Sequence, residues 1–406
     1  MTRAARGAGS SLLWAHVGLG ADRVTVGRAW PAAPPATEAP QGGARAGLRL
    51  RVEGRDSAGR LRAGEVTVRR AQAAPAPALG AGTTGRSDWE VTDVVVAPPA
   101  ADRRLPGLEP LCRNDSGGEL LVHRYGRRAV VRLPDRYAKV VRESHAARTA
   151  QAARSGAQAA GRAGLAAPAV LRQDAGLLEF SVLPGISMCE HGRTASPRDW
   201  DSAWRRWAQR WVDLVETGAD AWHDLPRHTS AEEQAHVRAW AARARAFDLL
   251  PISQSSLARR ADRVAADLGA ASGALAVSHR DLHDQQILVG PNGVGLLDFD
   301  TAALAEPALD LGNLAVHLQL RVAQGLWSPW HRDVAVGWVA AAARRLGVED
   351  DRLAAYAAAT RLRLACLYAF RPQWRALAGA LLDERAWPVA RGGPSWLVLD
   401  RTGVGP

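Results

Sequence analysis

The sequence is poor in several residue types, and each scarcity limits what the protein can be. Its 406 residues include three cysteines, Cys112, Cys189 and Cys366, which are widely spaced and form no CxxC pair. Their number and spacing argue against a disulfide framework or a zinc site and favour a reducing, cytoplasmic setting. No uncharged apolar run reaches the ~18–20 residues of a membrane helix, so we expect no membrane partner. His16 interrupts the apolar stretch near the N-terminus, which disfavours a signal peptide.

Lysine is the scarcest charged residue. Of 52 basic residues, Lys139 is the single lysine and the other 51 are arginine. An ammonium is a compact point charge and a guanidinium a planar fork, so a phosphate-binding position built for the first can resist replacement by the second. Chance survival of Lys139 on a surface strand fits the composition equally well, and both interpretations stay open at this point.

The remaining composition is that of a soluble globular protein, with 47% hydrophobic and 23% charged residues. The net charge is +11, and a positive field of this kind attracts phosphate-bearing ligands. A nucleic-acid binder is a weaker alternative, supported by the charge and the 15 tryptophans. The arginines are spread along the chain and form no block, so we expect no nucleic-acid partner.

The first hundred residues predict a β-rich N-terminal extension without a catalytic motif. Alternating apolar and polar residues indicate half-buried strands in three segments, which begin at Asp22, Gly47 and Gly64. Stretches rich in alanine, proline and glycine at 31–46 and 71–86 predict flexible loops.

Residues 101–185 predict a small antiparallel β lobe. Three strand candidates cover 119–125, 128–133 and 136–142, and turn residues at Gly126 and Pro134 separate them. Lys139 lies on the third strand of this meander. A helix over 144–162 and two further strands over 169–172 and 177–183 follow, and they end at Pro184-Gly185.

Residues 186–406 predict a helical lobe. Trp200, Trp204, Trp207 and Trp211 recur at spacings of four, three and four, which places them on one helix face. We expect this face to be core packing, and a stacking platform for bases or sugars is the less favoured alternative. Further helices are predicted over 231–247, 254–268, 309–323, 331–346 and 350–370.

The chemistry is concentrated between 277 and 312. Two apolar runs, 287–289 and 294–297, flank the turn sequence Pro291-Asn292-Gly293 and predict a β-hairpin. The residues just outside the two strands of a hairpin lie side by side, so Gln286 and Asp298 should meet at its open end. Asp281 stands on the loop that leads into the hairpin.

This arrangement collects a carboxylate, an amide oxygen and a second carboxylate around one point. Oxygen ligands of this kind suit Mg²⁺, which is held by one or two carboxylates plus substrate phosphates. Asp281, left free of the metal, could accept a proton from an incoming hydroxyl. A surface hairpin with solvated acids is the alternative, and the apolar residues beside Asp298 disfavour it.

The spacing His279-x-Asp281-x-x-x-x-Gln286 resembles a kinase catalytic loop, and Asp298-Phe-Asp300 stands where kinases have Asp-Phe-Gly. The details are most similar to the aminoglycoside phosphotransferase/choline kinase-like family. They include His283, the Asp-Phe-Asp triplet and a Glu-Pro-Ala-Leu-Asp-Leu run that ends in Asp310-Leu311. The resemblance covers about 105–390 and is absent from 1–95.

The resemblance implies an α+β, two-lobed kinase-like fold with a small antiparallel β lobe and a larger helical lobe, joined by a hinge near 179–185. It implies transfer of the γ-phosphoryl group of ATP or GTP, with Mg²⁺, to a hydroxyl of a small molecule such as a sugar, metabolite alcohol or antibiotic. Asp281 would be the catalytic base and Lys139 would bind the nucleotide phosphates. Gln286 and Asp298 would bind the metal.

The same resemblance makes His279 and Asp310 structural residues of the loop. The chain departs from the family pattern in three ways. Gln286 replaces the usual asparagine, and the glutamate partner expected for the lysine is not evident, since Glu143 lies only four residues from it. No glycine-rich phosphate loop is visible either, because Tyr125-Gly-Arg-Arg128 forms only a short turn. These departures support the alternative of a catalytically impaired, kinase-like nucleotide-binding protein. The basic charge disfavours a polycationic aminoglycoside as acceptor.

Overall fold

The computed structural model describes residues 16–19, 22–32, 47–70, 89–113 and 116–383. The first described unit is a five-stranded antiparallel sheet in the order β1-β2-β3-β4-β5. Its strands are β1 (His16–Leu19), β2 (Asp22–Pro31), β3 (Leu48–Arg55), β4 (Leu61–Arg70) and β5 (Trp89–Val96). The three strands predicted for this region are confirmed as β2 to β4. Loops were predicted over 31–46 and 71–86. Pro31 is instead the last residue of β2, and residues 33–46 and 71–86 lie outside the described residues, as does most of the candidate signal segment.

A second five-stranded antiparallel sheet follows the short helix α1 (Leu108–Leu111), with the order β6-β7-β8-β10-β9. Its strands are β6 (Glu119–Arg124), β7 (Arg128–Arg132), β8 (Arg136–Val141), β9 (Val170–Asp174) and β10 (Leu177–Ser181), and helix α2 (Glu143–Arg162) joins β8 to β9. The predicted meander with Lys139 on its third strand is confirmed. The central position of β8 between β7 and β10 surrounds Lys139 with strands on both sides.

The rest of the described chain is mainly helical. Two small sheets lie within it, one formed by β11 (Ile186–Ser187), β13 (Ile287–Gly290) and β14 (Gly293–Leu296), the other by β12 (Ala276–Ser278) and β15 (Ala303–Ala305). The helices are α3 (Met188–Thr194), α4 (Pro197–Glu216), α5 (Ser230–Phe247), α6 (Gln254–Gly269), α7 (Pro307–Ala323), α8 (Pro329–Arg345), α9 (Asp350–Tyr368) and α10 (Arg375–Leu382). All five helices predicted beyond 230 are present. No helix in the described part of the chain is long and apolar enough to cross a bilayer.

The tryptophan stripe on α4 is core, as predicted. Trp200, Trp204, Trp207 and Trp211 are fully buried, and neighbouring rings contact one another at centroid distances of 5.4–6.0 Å. Trp327, which precedes α8, completes the cluster with its ring centroid 5.0 Å from that of Trp200. The stripe therefore fixes α4 to the helical lobe and presents no stacking surface.

The N-terminal sheet packs against both the second sheet and the helical lobe. On the helical side the Ala29 amide donates to the Phe370 carbonyl at 2.9 Å, and the Trp89 and Phe247 ring centroids are 5.9 Å apart. Toward the second sheet, the Glu53 carboxylate accepts a hydrogen bond from the His123 amide at 2.8 Å. The extension thus spans the junction of the two lobes.

Candidate active site

The open end of the β13–β14 hairpin has the geometry that its turn sequence predicts. Ile287 pairs with Leu296, and the Leu297 amide donates to the Gln286 carbonyl at 2.9 Å, so Asp298 follows one residue beyond this last pair. Gly293 has φ +109°, in the region that favours glycine, and closes the turn. Gln286 and Asp298 therefore lie at the same end of the hairpin and line the same cavity.

Lys139 reaches this hairpin from the other lobe. Its Nζ donates to the Asp298 carboxylate, and it lies 2.6 Å from Asp300 Oδ1. Only 13% of the Lys139 side chain is exposed, and its Nζ is 5.1 Å from the centroid of the Phe180 ring. The interpretation of Lys139 as a residue of a solvent-exposed strand surface is therefore wrong. One ammonium and two carboxylates join β8 to the segment after β14.

The pKa values of the Asp298 and Asp300 carboxylates are shifted in opposite directions. Burial opposes ionisation of Asp298, but the Lys139 ammonium and the Arg128 guanidinium hold its pKa well below the ordinary range. Burial and the neighbouring Asp298 carboxylate raise the pKa of Asp300 to about 6. The Lys139 ammonium contacts both carboxylates and the Arg128 guanidinium lies 3.7 Å from Asp300, yet the charge on Asp298 still makes ionisation of Asp300 less favourable.

This donor set fits a divalent cation. Asp298 and Asp300 offer carboxylate oxygens and Gln286 an amide oxygen, which are the hard ligands that Mg²⁺ takes. A bound cation would further relieve the repulsion that raises the pKa of Asp300. Gln286 carries one more methylene than asparagine but keeps the carbonyl oxygen, so the substitution leaves the chemistry of the donor unchanged.

A cavity of about 410 Å³ opens beside these groups, between the second sheet and the helical lobe. Its apolar walls include Val130, Phe180 and Leu288, and its polar end holds Lys139, Asp298 and Asp300 together with Gln286. An apolar chamber with a few convergent charged groups at one end suits a ligand with a flat apolar part and an anionic tail. Asp281 does not line this cavity.

Side chains of helix α7 hydrogen-bond to residues 278–282, the segment that carries Asp281. The Asp310 carboxylate accepts hydrogen bonds from the Ser278 hydroxyl and the His279 amide, each at 2.7 Å. The His279 ring donates from Nε2 to the Leu297 carbonyl at 2.6 Å, and the Asn313 amide group donates to the Leu282 carbonyl at 2.8 Å. These bonds connect the loop that carries Asp281 to the hairpin that carries Asp298, as expected for structural roles of His279 and Asp310.

Two residues of the site adopt left-handed backbone conformations. Arg280 has φ +66° and Asp298 has φ +64°, in a region that residues with a side chain rarely enter. Arg280 directly precedes Asp281, the candidate base, and Asp298 is itself a candidate metal ligand. Strain of this kind persists only where the surrounding contacts determine the conformation, and the bonds of His279 and Asp310 do so here.

The sequence motif contained Asp300, but no role had been predicted for it. The structure places this carboxylate against Lys139 and 3.7 Å from Arg128. Glu143, the acid nearest to Lys139 in the sequence, is an exposed residue at the start of α2. Among the described residues the ion-pair partners of Lys139 are the two aspartates, and no glutamate forms such a pair. The signal in the sequence that could have indicated Asp300 is the second aspartate of the Asp-Phe-Asp triplet, where kinases have glycine.

Residues 119–360 match a family model described as the phosphotransferase enzyme family. A search among curated proteins returned no match. Among solved structures, the chain is similar to an aminoglycoside phosphotransferase from Streptomyces rimosus, in complex with ADP and streptomycin. That structure is 24% identical with a TM-score of 0.48, and the alignment covers 64% of this chain and 98% of the other.

Two further solved structures resemble the chain. A macrolide 2'-phosphotransferase from Brachybacterium faecium is 21% identical with a TM-score of 0.41, covering 69% of this chain and 98% of the other. A choline/ethanolamine kinase family protein from Mesorhizobium loti is 19% identical with a TM-score of 0.43, covering 69% of this chain and 92% of the other.

Proposed function

We propose that this chain, which belongs to the phosphotransferase enzyme family, transfers the γ-phosphoryl group of ATP or GTP to a hydroxyl group of a small molecule, with Mg²⁺. The observation that carries the proposal is the meeting of Lys139 with Asp298 and Asp300 at the polar end of the cavity. A nucleoside triphosphate with its metal is bound by a lysine that contacts the phosphates and by acidic residues that hold the metal, and here the lysine comes from one lobe and the acids from the other.

Each residue has one task in the proposed reaction. Asp298 and Gln286, with support from Asp300, would hold the magnesium ion, which neutralises charge on the phosphates. Lys139 would bind the α- and β-phosphates as a point charge. Asp281 would orient the acceptor hydroxyl and receive its proton.

The reaction forms one bond and breaks one. The acceptor oxygen bonds to the γ-phosphorus while the bond from that phosphorus to the β–γ bridging oxygen breaks, and the nucleoside diphosphate leaves. The hydroxyl proton goes to Asp281. Because such transfers need little covalent assistance from the protein, positioning and charge neutralisation supply most of the rate.

We further propose a division of labour along the chain. Residues 1–100 form a β-rich extension, 101–185 the nucleotide-covering lobe with its hinge, and 186–406 the lobe with the base and the metal ligands. The three cysteines are free, which is compatible with the cytoplasm as the setting.

Two substitutions separate binding from chemistry. We expect Asp298→Ala to abolish Mg²⁺-dependent ATP binding, because it removes the carboxylate that Lys139 and the metal share. We expect Asp281→Asn to leave ATP binding largely intact and to lower turnover by about 10²–10⁴-fold, the usual effect of losing a general base. Titration calorimetry measures the first and ADP release in the presence of an acceptor the second.

The opposite pattern would contradict the assignment. Wild-type turnover in Asp281→Asn would remove it as the base. Turnover absent from the wild type, with Mg-ATP bound normally and a broad panel of alcohols supplied, would favour the catalytically impaired nucleotide-binding protein.

A further inference from the structure

Outside the cavity, four arginines gather where the N-terminal sheet meets the turn between β6 and β7. We call Arg28, Arg124, Arg127 and Arg128 the arginine cluster. Arg124 ends β6 and Arg128 begins β7, where the two are directly paired, Arg127 lies in the turn, and Arg28 comes from β2. The cluster therefore combines residues of the family domain with one from the extension that the family model does not cover.

The turn that carries the cluster is held firmly. The Gly126 amide donates to Asp102 Oδ2 at 2.6 Å, and the Gly126 carbonyl accepts from Arg142 Nε at 2.6 Å. His123, just before the cluster, is buried, and its Nε2 lies 3.0 Å from Asp102 Oδ2. Because these bonds fix the backbone, the arginines are positioned before any ligand arrives.

Trp30 of the extension lies between two members of the cluster. The guanidinium carbon of Arg124 is 5.0 Å from the centroid of its ring, and that of Arg28 is 5.7 Å away. Stacking against an indole limits the conformations of both side chains. The extension thus helps to aim Arg124 and contributes a cation of its own.

The members differ in how their charges are balanced. Arg28 pairs with the buried Glu53 carboxylate, and Arg128 lies 3.7 Å from Asp300. Within the described ranges, Arg124 forms no ion pair, and its Nε is buried without a hydrogen-bond partner. Arg124 is only partly buried, so its guanidinium, which has no acidic partner among the described residues, can pair with the anionic group of a ligand.

The electrostatic environment of Arg124 is strongly positive. Burial, together with Arg128, Arg28 and Arg127, lowers its pKa to about 10, and the Asp281 carboxylate acts in the opposite direction. Asp281 is therefore near enough to influence Arg124 across the cleft. Neither residue lines the cavity that holds Lys139 and Asp298, so an anion at Arg124 and a hydroxyl at Asp281 would both lie outside the chamber assigned to the nucleotide.

We propose that the acceptor is an alcohol that carries an anionic group, a carboxylate or a phosphate ester, and that Arg124 binds this group while Asp281 receives the hydroxyl. This inference rests on the proposed function. A guanidinium matches either anion with two parallel hydrogen bonds. The same cluster repels polycations, which excludes an aminoglycoside as a good acceptor.

Matched pairs of probes test the acceptor class. Glycerate is compared with glycerol, and gluconate and glucose 6-phosphate are compared with glucose, with streptomycin as the polycation. Mg²⁺-dependent ADP formation is measured for each. We expect kcat/KM at least about tenfold higher for the anionic member of a pair, the effect of one charge-assisted hydrogen bond. Equal or better use of the neutral or cationic compounds would overturn the proposal.

Substitutions locate the anion site and separate it from the nucleotide. Arg124→Gln should raise KM for the anionic acceptor about 10- to 100-fold and leave KM for ATP unchanged, and Arg124→Lys should restore part of the loss. Arg132→Gln is the matched control, since Arg132 is on the same sheet, is solvent-exposed, and among the described residues forms an ion pair with Glu119 alone. A rise in KM for ATP in Arg124→Gln would assign the cluster to the nucleotide and overturn the proposal.

A binding measurement covers the case in which no probe is a substrate. Sulfate is titrated into the protein saturated with Mg-ADP, and its affinity should fall at least about tenfold in Arg124→Gln but not in Arg132→Gln. Equal sulfate affinity in all three proteins would refute the anion site. Absence of Mg-ATP binding to the wild type, measured without acceptor, would instead refute the proposed function on which this inference rests.

Discussion

Lys139 carries the single side-chain ammonium of a chain that has 51 arginines. The side chain is mostly buried and is fixed between two carboxylates, so a bulkier, forked guanidinium cannot occupy the same place. We expect Lys139→Arg to weaken Mg-ATP binding and to lower kcat/KM by about 10²-fold, the usual effect of misplacing a reacting group by about 1 Å. Calorimetry and steady-state kinetics measure the two effects.

The control for this exchange is the reverse change elsewhere on the same sheet. Arg132→Lys keeps the charge at an exposed position, 56% accessible, and should alter neither quantity. Wild-type kinetics in Lys139→Arg would show that charge alone is sufficient at this position and would remove the steric argument.

Individual residues of the site were predictable where the chemistry is local. Gln286 and Asp298 are brought together by a hairpin whose turn residues are visible in the sequence, and the hydrogen bond between Leu297 and Gln286 has the expected register. Asp300 and Arg124 were not predictable in the same way. Their importance depends on contacts with Lys139 and Trp30, about 160 and 94 positions away in the chain, which no local pattern encodes.

At the scale of elements, helix α2 packs through a glycine against the segment that we propose binds the metal. A Cβ on Gly156 would lie 2.5 Å from a ring atom of Phe299, the residue between Asp298 and Asp300. We expect Gly156→Ala to displace Phe299 and lower Mg-ATP affinity and turnover by at least about tenfold, because the two carboxylates move with it. Titration with Mg-ATP and ADP release measure these losses.

Gly161 on the same helix is the matched control. A Cβ there meets nothing within 4 Å, so Gly161→Ala should raise the free energy of unfolding by about 0.5–1 kcal/mol, the intrinsic helix preference of alanine. Its turnover should stay at the wild-type level. Urea unfolding measures the free energy of unfolding of both variants. A Gly156→Ala variant that is stabilised and fully active would contradict the packing of α2 against Phe299.

Elements with strong periodicity were predicted well, and those that depend on distant partners were not. The five helices predicted beyond residue 230 begin and end within two residues of the observed α5 to α9. Strand β5 was missed, since it is recognisable mainly from its pairing with β4. The insertion of β10 between β8 and β9 likewise follows from sheet pairing and not from sequence order.

At the scale of the whole molecule, the proposed chemistry depends on an ion-pair cluster formed by residues of two lobes. Lys139 comes from the second sheet, and Asp298 and Asp300 come from the helical lobe. The N-terminal sheet contacts both, through Glu53 on one side and Ala29 on the other. Its position at the junction was not evident from its own sequence, which predicted strands but not what they pack against.

The most direct test of the account is the chemical labelling of Lys139. It is the only side-chain amine of the chain, so an acylating reagent should modify it and the α-amino group alone, and mass spectrometry can follow both at once. We predict that saturating Mg-ATP slows the labelling of Lys139 several-fold and leaves the α-amino group, the internal control, unchanged. Equal labelling of Lys139 with and without Mg-ATP would contradict its place in the nucleotide site.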